Sequence, residues 1–137
     1  MPTKILAIDD SKTMRLAIKI TFAAEDAKVT AVSKGSEAVA RARQMQADVI
    51  LVDHKLGDGE PSGFKVVEEL KSNPATSKIP VIMLVPAKGG VSEAEVTAAG
   101  ADGYIGKPFD SQELIDKVAA SLGRGAAKVA AKPAVAA

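Results

Sequence analysis

The chain has 137 residues, 47% of them hydrophobic, which is the length of one ordinary domain with enough apolar material for a core. Eighteen Lys and Arg stand against 17 Asp and Glu, a formal net charge of +1, so neither the broad positive field of a nucleic-acid binder nor a polybasic membrane anchor is present. The lack of cysteine excludes disulfides, thiolate catalysis and thiolate metal sites.

In chain order, Lys4 to Ile8 is an apolar run that predicts a strand. Asp9 and Asp10 interrupt it too early for a signal peptide or a membrane span, so a cytoplasmic location is the default expectation. Thr13 to Ala24 follows as a helix, with Met14, Ile18 and Phe22 on one stripe. Lys28 to Val32 is the second strand, Ser36 to Gln46 the second helix and Val49 to Val52 the third strand. Gly63 to Ser72 is a helix with Phe64, Val67 and Leu70 on one face; Pro80 to Leu84 is a strand and Ser92 to Ala99 a short helix. Gly103 to Ile105 and Asp110 to Leu122 complete the alternation, the last helix presenting Leu114, Val118 and Leu122 as its stripe. Ser92 with Glu95, and Asp110 with Glu113, have the spacing of capping boxes. Short apolar strands with little polar alternation require a sheet covered on both faces. The predicted fold is α/β: five parallel strands, doubly wound, flanked by five helices. Residues 1–123 form this domain, and the Ala, Lys and Pro-rich stretch 124–137 is expected to be a flexible tail or linker.

Such sheets bind ligands at the carboxyl ends of their strands, where strand order reverses. Those ends carry Asp9 and Asp10, Asp53, Val85 and Lys107. Carboxylates packed together repel by several kcal/mol at an effective dielectric of about 20, so they need a cation or bound protons. Magnesium suits a few carboxylates while keeping positions for water and a phosphate oxygen. Taken singly, Asp10 or Ser11 reads as a helix cap, Asp53 as a strand-end residue, Lys107 as a surface lysine, and His54 as a solvent-exposed loop histidine outside any mechanism.

Ile8-Asp9-Asp10-Ser11, Val52-Asp53 and Gly103-Tyr104-Ile105-Gly106-Lys107-Pro108-Phe109 together resemble the receiver domain of two-component response regulators, from about Lys4 to Leu122. The resemblance implies a flavodoxin-like, CheY-like fold and a signalling domain rather than an enzyme, with at most self-catalysed phosphotransfer and dephosphorylation. It makes Asp53 the phosphoacceptor, Asp10 a direct magnesium ligand, Asp9 a ligand through water, and the Lys55 carbonyl a further ligand. Lys107 pairs with the phosphoryl group, the Lys107-Pro108 bond is cis, and Tyr104 is the aromatic that rotates between outward and inward positions. The implied partners are a sensor histidine kinase or phosphotransfer protein and an unidentified output protein or domain, with no nucleic acid bound directly and no membrane. The partner face is expected on Ser92 to Ala99, Tyr104 and the helix from Asp110.

The sequence departs from the family pattern in two places. Val85 stands where the family usually has Thr or Ser, and Pro86 follows it, so a hydroxyl and an amide donor are lost together. Charge-assisted hydrogen bonds are worth about 1.5 to 3 kcal/mol each, against roughly 5.5 kcal/mol for a decisive two-state shift. Transmission of the signal is therefore more exposed to this loss than acceptance of the phosphoryl group. The loop after Asp53 is longer than usual, has Gly57 where a proline is common, and offers Asp58 and Glu60 as extra negative charges at the site's mouth.

The alternative function is an atypical receiver that binds partners independently of phosphorylation. A magnesium-dependent phosphohydrolase is disfavoured because no second acid follows two residues after Asp53, and nucleotide binding because no Gly-rich phosphate loop follows the first strand.

Overall fold

The computed structural model describes residues 2–57, 59–86, 91–107 and 109–122. The strands are β1 (Thr3–Ile8), β2 (Ala27–Val32), β3 (Val49–Asp53), β4 (Val81–Pro86) and β5 (Gly103–Lys107). The helices are α1 (Lys12–Thr21), α2 (Ala38–Met45), α3 (Gly63–Ser72), α4 (Glu93–Ala99) and α5 (Ser111–Ser121). All strand pairs are parallel, in the order β2-β1-β3-β4-β5. Strand order reverses between β1 and β3, which opens the crevice above their carboxyl ends.

Side-chain alternation along each strand sorts the core into two layers. Leu6, Ile8, Ile50, Val52, Val81, Met83 and Val85 pack with Ala38 and Ala42 of α2, Val66, Val67 and Leu70 of α3, and Val96 of α4. Ile5, Ala7, Val49, Leu51, Ile82, Leu84 and Ile105 face Ile18 and Phe22 of the α1 region and Leu114 and Val118 of α5. The predicted stripes thus lie on the sheet, with Met14 and Leu122 at the edge of the second layer.

Several boundaries differ from the sequence reading. α1 stops at Thr21, because Ala23 and Glu25 make turn bonds to Ile20 and Phe22 that tighten and end it. Residues 35–37 form a 3-10 turn before α2, which closes on Gln46 in the left-handed region at φ 52°. β4 and β5 both run two residues further than predicted, to Pro86 and Lys107. Pro86 is tolerated because it is the last residue of β4 and lies past the end of β3, whose Asp53 is opposite Leu84. The Asp110 capping box is complete, whereas at α4 the Ser92 half is formed, its hydroxyl accepting from the Glu95 amide. Residues 123–137, on which the predicted tail falls, lie outside the described residues, as does Pro108 with its expected cis bond.

Candidate functional site

The two layers decide which side chains meet at the crevice. Ile5, Ala7 and Asp9 follow one another on one face of β1 and beyond it, as do Val49, Leu51 and Asp53 on β3 and Ile105 and Lys107 on β5. Asp9, Asp53 and Lys107 therefore continue the face covered by α1 and α5, above its apolar filling. Together with Asp10 they line a cleft of about 730 Å³ whose wall also includes Ser11, Met14, His54, Lys55, Gly57 and Pro86.

Carboxylate oxygens of Asp9, Asp10 and Asp53 lie within 4.8 Å of one another. Asp9 is wholly buried; its Oδ1 accepts from the Ser11 amide at 2.9 Å, while its Oδ2 is buried with no hydrogen-bond partner. Burial pushes the Asp9 carboxyl up from 3.8 to about 6; the Ser11 bond opposes this, and the neighbouring Asp53 adds to it. A buried, unpartnered carboxylate oxygen beside two more carboxylates has the chemistry of a hard-cation site, and the donor set fits magnesium. Asp10 is exposed. The hydroxyl of Ser11, not Asp10, caps α1, accepting from the Met14 amide at 3.2 Å, so Asp10 remains free for the cleft.

Asp53, 4% exposed, is the last residue of β3. Lys107 Nζ donates to its Oδ1 at 2.7 Å. His54 Nδ1 lies 3.2 Å from the same oxygen, which the sequence reading did not anticipate. Gly63 was missed as well. It opens α3, and its amide donates to the His54 carbonyl at 2.9 Å. A Cβ there would overlap the Asp53 carbonyl oxygen, so only glycine lets α3 begin against the end of β3.

Residues 5–119 match the family model described as the response regulator receiver domain. The chain belongs to that family. It is 32% identical over 130 residues to the phosphate regulon transcriptional regulatory protein PhoB of Rhizobium meliloti, covering 94% of this chain and 56% of that protein. To the transcriptional regulatory protein ResD of Bacillus subtilis it is 30% identical over 122 residues, covering 89% and 49%. The receiver domain thus spans about half the length of the curated relatives it matches. Among solved structures, the chemotaxis response regulator CheY4 of Vibrio cholerae superposes with a TM-score of 0.80 at 28% identity, covering 89% of this chain and all of the other. The predicted CheY-like fold is therefore the observed one.

The remaining expected site residues of the receiver domain are divided by the sheet. Lys55 lines the cleft. Val85 does not: it continues the opposite face of β4 from Val81 and Met83 and borders a separate cavity of about 220 Å³. Tyr104, 38% exposed, and Val96 border that cavity too, and Pro86 touches both spaces. Glu60 is not among the residues lining the cleft; its Oε1 accepts from the Ser36 amide at 3.1 Å, tying the loop to the start of the 3-10 turn. Asp58 lies outside the described residues. No described helix is long and apolar enough to cross a membrane.

Proposed function

We propose that this receiver domain accepts a phosphoryl group on Asp53, beside a magnesium ion, from a sensor histidine kinase or phosphotransfer protein. The observation that carries the reading is the Lys107 ammonium, 2.7 Å from the Asp53 carboxylate in a cleft where Asp9 Oδ2 is buried without a partner. Asp10 and Asp53 would hold the ion directly, with Asp9 acting through water and the Lys55 carbonyl completing the protein's share. Magnesium, when bound, supplies positive charge that offsets the carboxylates and the charge developing on the phosphoryl oxygens.

Asp53 is the nucleophile: its oxygen attacks phosphorus in line with the leaving group. Lys107 reaches the acceptor without moving and pairs with an equatorial phosphoryl oxygen, so its positioning free energy is spent on folding rather than at the moment of transfer. The product is an acyl phosphate, labile enough for a temporary mark. Leu16 and Ile20, 57% and 65% exposed one turn apart on α1, give a donor protein apolar surface to cover on the helix whose Ser11 cap and Met14 line the cleft.

Transmission would run through Tyr104, above the cavity that Val85 and Pro86 border, to α4 and α5. Val85 supports a second reading, a module that binds partners independently of phosphorylation, because it faces that cavity and offers no donor to the cleft. Titration with beryllofluoride in excess magnesium tests the leading reading. Stoichiometric binding to the parent and none to Asp53→Ala is expected. Equal binding to both would place the acceptor elsewhere.

A further inference from the structure

We infer that His54 is a catalytic residue of phosphoryl acceptance, supplying from the β3 side a hydrogen-bond donor that Val85 and Pro86 do not supply from β4. The inference rests on the reading of Asp53 as the acceptor. A histidine following a strand-end aspartate ordinarily points to the other side of the sheet, because successive strand side chains alternate. Here the strand ends at Asp53, the chain bends at His54, and the imidazole turns into the cleft. Its backbone is pinned on both sides: the amide donates to the Leu84 carbonyl at 3.0 Å and the carbonyl accepts from Gly63 at 2.9 Å. The second bond exists only because Gly63 has no Cβ to collide with the Asp53 carbonyl. The backbone that carries the ring is thus fixed by the scaffold before any ligand arrives, and the ring itself rests on Asp53 Oδ1.

An ionised carboxylate only accepts hydrogen bonds, so the 3.2 Å contact between Nδ1 and Asp53 Oδ1 holds with the hydrogen on Nδ1. Lys107 and His54 are the side-chain donors that reach Asp53 among the described residues, and both meet at Oδ1. In the transfer, an Asp53 oxygen forms a bond to phosphorus while the bond from phosphorus to the donor's leaving group breaks, and the leaving group keeps the bonding pair. The Nδ1 hydrogen stays on His54. What changes is its acceptor, from the carboxylate oxygen to an oxygen of the arriving phosphoryl group, on which negative charge is concentrated.

The test compares the parent with His54→Ala and His54→Asn, whose side-chain amide can place a donor near the position of Nδ1. Each is incubated with acetyl phosphate at saturating magnesium, and the rate of gaining one phosphoryl group is followed by intact mass. Beryllofluoride affinity and magnesium affinity without a phosphodonor are measured alongside, with circular dichroism to verify folding. His54→Ala should lose about tenfold in rate and in beryllofluoride affinity, and His54→Asn should stay within about threefold of the parent. Magnesium affinity should be equal in all three. Parental rates in His54→Ala would overturn the inference, as would equal losses in both variants, which mark a packing role, or a parallel loss of magnesium affinity. If the parent itself gains no phosphoryl group, the acceptor reading of Asp53 fails first, so the two failures are distinguishable.

Discussion

Asp9→Asn should stabilise the metal-free domain at neutral pH while damaging its response to magnesium. Asp9 is wholly buried, one of its oxygens has no partner, and burial holds its carboxyl at about 6 instead of 3.8. At about 1.36 kcal/mol per pH unit, that difference corresponds to about 3 kcal/mol of folding free energy given up when Asp9 is ionised. The folded state binds this proton more tightly than the unfolded state does. Stability from Asp9 is therefore fully present below about 3.8 and is lost as pH rises to about 6, the reverse of an ion-paired aspartate. Asparagine keeps an oxygen for the Ser11 amide, and its amide hydrogens face the Asp10 and Asp53 carboxylates. Urea unfolding with a chelator present should find the variant more stable by about 1 to 3 kcal/mol at pH 7.5, with the gap closing towards pH 4. Excess magnesium should close or reverse the gap, because only the parent gains strongly from the ion, by about 2.7 kcal/mol at a hundredfold excess over Kd. A variant less stable than the parent without metal at pH 7.5, or a gap independent of pH, would refute the reasoning.

Asp10→Ala should weaken magnesium binding at least about tenfold by calorimetry; unchanged affinity would remove Asp10 from the ligand set. Val85→Thr should enlarge the chemical-shift changes that beryllofluoride causes in residues 92–104, and no enlargement would show that Val85 does not limit switching. In hydrogen exchange, α4 should exchange faster than α1, since α4 has seven residues and buries nothing larger than Val96, whereas the ten-residue α1 is anchored by the bulkier Ile18 and by Phe22 at its end. Equal protection would mark a rigid face and favour the constitutive module.

The sheet and the principal charges were legible because they depend on patterns the sequence states directly. Apolar runs fix the strands, and the acids and the lysine that end them fall at the carboxyl edge in any doubly wound arrangement. The facing of Val85 was legible too in principle: alternation from Val81 and Met83 puts it on the α3 and α4 side, away from Asp53. The strand ends were harder, because Val85-Pro86 and Gly106-Lys107 read locally as breakers, and only pairing of Val85 with Gly106 and of Pro86 with Lys107 extends both strands. The place of His54 is not legible because sequence adjacency does not reveal a bend just past the strand's last residue. That bend depends on Gly63, nine positions later and packed on the Asp53 carbonyl, a close approach with no local signature.

The central claim, that Asp53 is the acceptor, is tested most directly by borohydride trapping. Reduction of an acyl phosphate on an aspartate leaves homoserine in its place, and peptide sequencing by mass then reads the position. After incubation with magnesium and acetyl phosphate, homoserine should be found at position 53, and omitting magnesium or replacing Asp53 with Asn should abolish it. Homoserine at Asp9 or Asp10, or none under conditions where the domain is folded and magnesium is bound, would contradict the account.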